Sequence, residues 1–291
     1  MADNITFVHL TDLHVGDPSA KDDHLFSDTT ATFRAIAADI RRMKPSPAFI
    51  VASGDLTNRG DAASYEHLKS LISEADLNIP MLFALGNHDT REGFYPVMLG
   101  RTEDTSAPHD HDLVVAGIHI IVMDSSVPKK IGGAFEPGQL DWLAMRLSEH
   151  AGLPKLLVMH HAPALDEEDF DGEWETLAIA DTIALRDLLI DRSDIVGILS
   201  GHIHFDRVSS WYGIPLVVGV GQHAATDVVG LGDSFRMLEG ASMAIGTIRP
   251  SGLTISFAPQ PSTRRELHVL DMERIREIVA RSAKEATSAA E

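Results

Sequence analysis

The segment Met81–Asp89, with the sequence MLFALGNHD, joins an apolar run to a cluster of polar residues. The run Met81–Leu85 has the length and composition of a buried β-strand. Behind it, Asn87 offers a neutral amide oxygen, His88 can donate a proton, and Asp89 can orient that imidazole. Taken alone, the segment also fits an ordinary asparagine turn. It therefore predicts a strand whose following loop is either such a turn or part of a catalytic site.

The same arrangement recurs four more times along the chain. In each case an apolar run is followed at once by residue types that bind metals. Parallel strands present their carboxyl ends at one edge of an α/β sheet, where such sheets bind their ligands. Five motifs of this kind therefore predict one shared site. The other four are Asp12-Leu13-His14, Gly54-Asp55, Met159-His160-His161 and Gly201-His202-Ile203-His204.

Residue spacing within the motifs predicts how they divide the site. On an extended chain, Asp12 and His14 project to the same side and can face one cation. His202 and His204 repeat this spacing at roughly 6.6 Å, which suits two neighbouring cations better than one tight pocket.

The remaining motifs each have a structural alternative. Asp55 could cap a helix, but the next helix is predicted to begin later, near Asp61. The adjacent His160 and His161 point to opposite faces of a strand, so only one of them is expected to be a direct ligand.

Three histidines are candidates for contact with substrate. His161 would either support its neighbouring ligand or face the substrate. His24 and His223 lie in predicted loops that can approach the site.

Composition limits the classes of function. The chain has 291 residues, no cysteine and a formal net charge of −19. A metal must therefore be held by oxygen and imidazole ligands. The acidic charge argues against binding a nucleic-acid polymer, and it opposes an anionic substrate unless bound cations reverse the sign locally.

The sequence contains neither a recognisable signal peptide nor an apolar run of about 18 residues. We therefore expect a cytoplasmic protein that does not insert into membranes.

Strand and helix patterns alternate along most of the chain, which predicts an α/β fold with buried sheets between helices. Later strands follow one another without helices, as in a sandwich of two sheets. The predicted strands are Ile5–Leu10, Ala48–Ala52, Met81–Leu85, Leu113–Val115, Ile118–Met123, Lys155–Met159, Ile195–Leu199, Leu216–Val220, Ser242–Ile248 and Leu253–Phe257. The predicted helices are Asp28–Met43, Ala62–Glu74, Gln139–His150 and Ala180–Asp191.

We predict a single domain over residues 1–291. The acidic segment Leu165–Glu175 is interpreted as a solvated loop in preference to a functional cap. Residues 265–291 are expected to form a helical extension that frays at its end and docks onto the domain or packs in a homodimer or higher homo-oligomer.

Together the five motifs resemble those of the calcineurin-like metallophosphoesterases, in the same order from Ile5 to His204. Within that family the chain is most similar to bacterial class III cyclic-nucleotide phosphodiesterases and related glycerophosphodiesterases. The resemblance implies a four-layer αββα sandwich, the metallo-dependent phosphatase fold, with two metal ions chosen from Fe, Mn, Zn and Co. It assigns Asp12, His14, Asp55 and His204 to one metal, and Asp55, Asn87, His160 and His202 to the other.

The activity implied is hydrolysis of a small-molecule phosphodiester by a hydroxide that bridges the two metals. His88 would stabilise the transition state or protonate the leaving oxygen, and Asp89 would support it. Cyclic nucleotides and glycerophosphodiesters both remain open as substrates. The alternatives are a phosphomonoesterase or protein phosphatase that uses the same site, and a metal-binding module without catalysis.

Overall fold

The chain folds into thirteen β-strands and six α-helices over residues 4–230, 236–260 and 271–288, which the computed structural model describes. The helices are α1 (Thr29–Arg42), α2 (Ala62–Ala75), α3 (Arg91–Phe94), α4 (Gln139–Ser148), α5 (Ile179–Leu189) and α6 (Met272–Ser288). The strands are β1 (Ile5–Leu10), β2 (Ile50–Ser53), β3 (Met81–Ala84), β4 (His111–Val115), β5 (Ile118–Val122), β6 (Lys155–Val158), β7 (Ile195–Ser200), β8 (Arg207–Trp211), β9 (Ile214–Val218), β10 (Ala225–Thr226), β11 (Met237–Leu238), β12 (Ala241–Arg249) and β13 (Gly252–Gln260).

Two large sheets contain most of these strands. The first has the order β13-β12-β1-β2-β3 and the second the order β4-β5-β6-β7-β9-β8, while β10 and β11 form a short ribbon. Strands β1 to β3 are parallel, and so are β5, β6, β7 and β9. The carboxyl ends of the parallel strands within each sheet therefore lie at a common edge.

Alternation of side chains along the strands gives each sheet two buried faces. Phe7 and Val51 of the first sheet pack against Ile120 and Leu156 of the second, forming the interior between the sheets. On their outer faces, the first sheet packs on α1 and α2 and the second on α4 and α5. The resulting layer order is helix, sheet, sheet, helix, which confirms the predicted αββα sandwich.

Helix α2 begins where the sequence predicted. The carboxylate of Asp61 accepts a hydrogen bond from the backbone N–H of Ser64, at 2.9 Å, and so caps the helix. Asp55 lies six residues earlier and is therefore not a capping residue for this helix. The alternative interpretation of Asp55 as the cap of this helix is therefore excluded.

The structure adds detail where the sequence pattern was weak. Strand β8, which was not predicted, forms an antiparallel hairpin with β9. The acidic segment is largely exposed, as expected of a solvated loop, but it contains a 3₁₀ helix at Phe170–Glu175, and Glu167 pairs with Arg186.

The C-terminal extension is only partly described. Helix α6 is present, but residues 261–270 and 289–291 lie outside the described residues. The single domain and the packing of this extension in an oligomer therefore remain predictions. Among the described helices, none is both long enough and apolar enough to cross a bilayer.

Candidate metal centre

The loops that follow the parallel strands turn sharply into a common pocket. Five of the predicted ligands have left-handed backbone conformations, with φ of 46° at Asp12, 43° at His14, 48° at Asp55, 77° at His202 and 52° at His204. This conformation costs a non-glycine residue about 1–3 kcal/mol, and it concentrates at functional sites. The expectation of an extended backbone at Asp12–His14 and at His202–His204 is therefore wrong, because tight turns direct these side chains.

Close packing around the pocket requires glycine at two positions. A Cβ atom at Gly86 would lie 2.2 Å from Oδ1 of Asp55 and 2.7 Å from Nε2 of His160. A Cβ atom at Gly201 would lie 2.4 Å from Oδ2 of Asp12. Any side chain at these positions would push the aspartates out of place, which explains why glycine accompanies both motifs.

Asp55 lies at the centre of the pocket. Its Oδ2 atom is 3.6 Å from Nε2 of His14 and 3.3 Å from Nε2 of His160, while Oδ1 accepts a hydrogen bond from the backbone N–H of His88 at 2.8 Å. Burial opposes the charged carboxylate, but the neighbouring histidines, led by His160, hold the pKa of Asp55 well below its usual value. The carboxylate is thus ionised and stands between two imidazoles.

Asp12 connects the two sheets at this edge. Its Oδ1 atom is 3.3 Å from Nε2 of His204, and its carboxylate accepts hydrogen bonds from the backbone N–H of His202 and from Oγ1 of Thr11. Asp12 follows β1 of the first sheet, whereas His202 and His204 follow β7 of the second. The ligand edges of both sheets therefore meet in one pocket.

Besides the group of His160, His161 and His202, three groups of these side chains have ligand atoms within 4.8 Å of one another. Asp55 belongs to two of them, and this arrangement suits a carboxylate shared by neighbouring cations. The groups are Asp12, Asp55 and His160; His14, Asp55 and His88; and His14, His204 and His223.

Each predicted histidine ligand is fixed through its second ring nitrogen. That nitrogen bonds a protein oxygen at 2.8–2.9 Å, which sets the tautomer and leaves the other nitrogen free for a metal. The pairs are His14 Nδ1 with Asn58 Oδ1, His160 Nδ1 with Ser53 O, His202 Nε2 with Trp174 O, and His204 Nδ1 with Ala224 O.

Three buried polar atoms of the predicted ligands have no hydrogen-bond partner among the described residues. They are Nε2 of His14, Nε2 of His160 and Oδ1 of Asn87. Buried polar atoms are nearly always satisfied, so a cluster of unpaired lone pairs calls for a cation. The nitrogen and oxygen donors fit a divalent metal of intermediate hardness, such as Zn, Mn, Fe or Co.

Two of the predicted ligand histidines have pKa values shifted in opposite directions. Burial lowers the pKa of His202 to about 4, so its imidazole is neutral and available as a ligand. Burial also opposes a charge on His160, but the adjacent Asp55 carboxylate raises its pKa to about 9. A metal at His160 would therefore compete with a proton.

His88 differs from the other histidines of the site because it is exposed. Its Nδ1–H donates to the backbone carbonyl of Asn58 at 2.9 Å, and its ring lies edge-on to His14 at 4.7 Å. His88 can thus meet a substrate at the mouth of the pocket.

The expectation that Asp89 orients His88 is wrong. Within the described residues, the Asp89 carboxylate accepts from the backbone N–H groups of Leu56, Thr57 and Gly86 and from the hydroxyl of Tyr65. It therefore ties the Asp55 loop to the Asn87 loop. Together with the hydroxyl of Thr57, five donors bond the two carboxylate oxygens of Asp89, and none of them is the His88 imidazole.

Asn58 is the residue that the sequence did not identify. Its side-chain oxygen holds His14, its backbone carbonyl holds His88, and its side-chain N–H donates to Asp22 at 2.7 Å. Asn58 lies three residues beyond Asp55 in the same loop, and that position after a ligand motif was the one available signal.

The three histidines predicted to contact substrate differ in their position relative to the pocket. His161 is fully buried, and its ring nitrogens bond Ser125 Oγ and Ile131 O, so it supports the site and does not face a substrate. His24 is exposed on a loop, and within the described part of the chain its one hydrogen bond runs from its backbone N–H to Asp22. His223 does reach the pocket, since its ring lies 4.7 Å from that of His14.

Several bacterial proteins are similar in sequence to this chain over most of its length. A probable cyclic nucleotide phosphodiesterase of Rhodococcus erythropolis is 32% identical over 213 residues, which cover 72% of this chain and 68% of the relative. A cAMP/cGMP dual specificity phosphodiesterase of Mycobacterium tuberculosis is 31% identical over 71% of this chain and 65% of its own length. A probable glycerophosphodiester phosphodiesterase of Arcobacter nitrofigilis is 27% identical over 59% of this chain and 62% of its own.

Solved structures share the fold at low sequence identity. A purple acid phosphatase from yellow lupin aligns with a TM-score of 0.67 at 13% identity, covering 91% of this chain and 53% of that one. A dimetal phosphatase from Danio rerio aligns with a TM-score of 0.59 at 13% identity, covering 88% and 98%. The calcineurin-like phosphoesterase family matches residues 5–206, which contain every predicted metal ligand. The chain therefore belongs to the calcineurin-like phosphoesterase family, and the prediction of a phosphoester-hydrolysing enzyme is confirmed.

Proposed function

We propose that the protein is a binuclear metal-dependent phosphodiesterase that acts on small-molecule phosphodiesters. One observation carries the proposal: unpaired, buried ligand atoms gather on both sides of Asp55, next to the exposed His88. A single metal would not account for imidazoles on both sides of one carboxylate.

The residues divide between two metals around that carboxylate. The proximity of His14 and Asp12 to His204 supports one group, and the contact of His160 with Asp55 supports the other. When bound, the two metals would polarise the phosphoryl oxygens and lower the pKa of a water molecule. We assign Asp12, His14, Asp55 and His204 to one metal, and Asp55, Asn87, His160 and His202 to the other.

His88 has the position of a group that acts on the leaving oxygen. Because its Nδ1–H is committed to the Asn58 carbonyl, Nε2 is the atom that it presents outward. In the protonated imidazole, Nε2–H donates to the oxygen on which negative charge develops. The backbone carbonyl accepts from Nδ1–H before and after this transfer, so the ring need not reorient.

The chemistry of the pocket favours an anionic ester in an otherwise acidic protein. Two divalent cations outweigh the charges of Asp12 and Asp55, the only carboxylates in the ligand set, so attraction for phosphate becomes local. The names of the bacterial relatives support cyclic nucleotides or glycerophosphodiesters in preference to phosphate monoesters.

The test is a comparison of two substrates with the metal-loaded protein. We expect faster hydrolysis of bis-(p-nitrophenyl) phosphate than of p-nitrophenyl phosphate, with about two metal ions per chain by elemental analysis. A faster monoester reaction would favour a phosphatase. Full metal loading without hydrolysis of either ester would favour a metal-binding module that lacks catalysis.

The role of His88 has its own test. His88→Ala should lower kcat by about 10²–10⁴-fold and leave the metal content unchanged. The loss should shrink for bis-(p-nitrophenyl) phosphate, whose leaving group needs no proton, and remain large for an alkyl diester. His150→Ala removes another exposed histidine, before β6 at the opposite end of that strand, and should change neither rate. An equal loss on both esters would leave His88 only a charge-stabilising role.

A further inference from the structure

An exposed aromatic ring stands at the rim of the metal centre, outside the ligand set. Phe26 leaves 65% of its surface open to solvent. Its ring stacks on that of His223, with centroids 5.1 Å apart and planes inclined by 13°. We propose that Phe26, supported by His223, is the surface on which the base of a nucleotide substrate stacks. This inference rests on the proposed phosphodiesterase function.

The stacked pair is fixed in place by hydrogen bonds. The backbone N–H of Phe26 donates to Nε2 of His223 at 2.9 Å, and the hydroxyl of Ser27 donates to the His223 carbonyl at 2.6 Å. His223 itself is buried. The platform is therefore ordered before a ligand arrives, which reduces the entropy lost on binding.

The stacked pair lies beside the metal centre. His223 lies 4.7 Å from His14 and 6.0 Å from His204, which belong to one proposed metal group. The ring of His223 therefore lies between Phe26 and the metal group. In a cyclic nucleotide the sugar likewise lies between the base and the phosphate. One face of Phe26 is covered by His223, and its large exposed area leaves the other face for the base.

A base is the part of the substrate that this surface fits best. Aromatic rings bind bases by stacking, which is worth about 1–3 kcal/mol per base. The head groups of glycerophosphodiesters have no flat π-face and would gain little from Phe26. The aromatic rim therefore favours nucleotides between the two substrate classes left open by the metal chemistry.

The experiment separates binding of the base from binding of the phosphate. Wild type, Phe26→Leu and Phe26→Trp are loaded with metal and assayed with 3′,5′-cyclic AMP, and 5′-AMP and inorganic phosphate serve as competing inhibitors. Phe170→Leu is the matched control, because Phe170 is 67% exposed and has no ring contact within the described part of the chain. p-Nitrophenyl esters are avoided because their rings also stack.

We expect Phe26→Leu to raise the KM for cyclic AMP and the inhibition constant of 5′-AMP by about 5- to 30-fold, with kcat little changed. Inhibition by inorganic phosphate should stay the same, Phe26→Trp should restore the wild-type KM, and Phe170→Leu should have no effect.

Three results would overturn the platform. The first is an unchanged KM in Phe26→Leu, and the second is a parallel loss of phosphate inhibition, which would indicate damage to the metal centre. The third is a wild-type enzyme that hydrolyses glycerophosphodiesters but not cyclic nucleotides. None of these contradicts the phosphodiesterase proposal, which fails only if the metal-loaded wild type hydrolyses no diester.

Discussion

The buried polar groups around Arg91 and those at the metal centre differ in how far the described residues satisfy them. Around Arg91, each charge has a partner: the guanidinium donates to the carboxylates of Asp124 and Glu136 at 2.8 and 2.6 Å and to the backbone carbonyls of Ser106 and Ser126. At the metal centre, by contrast, Nε2 of His14 and Nε2 of His160 lie near the Asp55 carboxylate but have no hydrogen-bond partner among the described residues. The chain completes the first cluster by itself and leaves the second for a cation.

The difference identifies which polar cluster serves stability and which serves function. Desolvated charges are tolerated when hydrogen bonds satisfy them, as at Arg91. Unsatisfied lone pairs and left-handed ligand residues each cost free energy in the metal-free protein. A protein can retain these unfavourable features when the binding of a ligand offsets their cost. We therefore expect metal binding to stabilise the incomplete cluster.

The largest effect expected from a single substitution is loss of the complete cluster. Arg91→Met leaves the fully buried Asp124 without its cation and should lower the free energy of unfolding by about 3–5 kcal/mol, measured by urea denaturation. Arg34→Met removes an exposed pair with Glu74 and should cost less than about 1 kcal/mol. Equal costs in the two variants would show that the Arg91 cluster is not a buried network in solution.

Removal of metal tests the incomplete cluster. Chelation should lower the free energy of unfolding by about 2.7 kcal/mol for each metal present at 100 times its Kd, with a matching fall in Tm. The same treatment should leave the cost of Arg91→Met unaltered, since that cluster needs no ion. A Tm that does not respond to chelator and returned metal would contradict the assignment of the metal centre.

Asn58 holds the metal ligand His14 in place, so its substitution tests the metal centre without removing a ligand. Asn58→Ala removes the side-chain oxygen that holds His14 and should weaken metal binding by about 10- to 100-fold, measured by titration with metal. The bond to His88 comes from the backbone carbonyl and should survive, so kcat at saturating metal should change much less. Loss of activity that excess metal does not restore would mean that Asn58 acts on His88 as well.

The smallest effect concerns a carboxyl beside the complete cluster. Burial raises the pKa of Asp110 to about 6, from its usual 3.8, and the charge of Asp124 adds to this. The folded state therefore binds the Asp110 proton more tightly than the unfolded state does, and stability falls as pH rises from about 4 to 6.

Asp110→Asn removes that proton while retaining an oxygen for the backbone N–H of Asp124. Relative to wild type, the variant should gain on the order of 1–2 kcal/mol between pH 4 and pH 7 in urea unfolding. A stability difference that does not vary with pH would show that Asp110 titrates normally.

Much of the site could be predicted from residue order, and the reason is topological. Apolar runs such as Met81–Ala84 form parallel strands, and parallel strands deliver whatever follows them to one edge. Residues such as Asp55 and His160 therefore meet even though they are distant in sequence. Local backbone was predicted less well, because the turns at Asp12 and His202 are imposed by packing against the other loops and not by local residue preferences.

The amino-acid sequence by itself determined the kinds of ligand, their order and the strands that carry them, because these follow from hydrophobic pattern and side-chain chemistry. The tertiary structure decided which atom of each ligand is free. His202 donates its backbone N–H to Asp12, 190 residues away, and His160 bonds the carbonyl of Ser53, 107 residues away. The packing of the two sheets brings these distant residues together, and a local sequence pattern does not predict that packing.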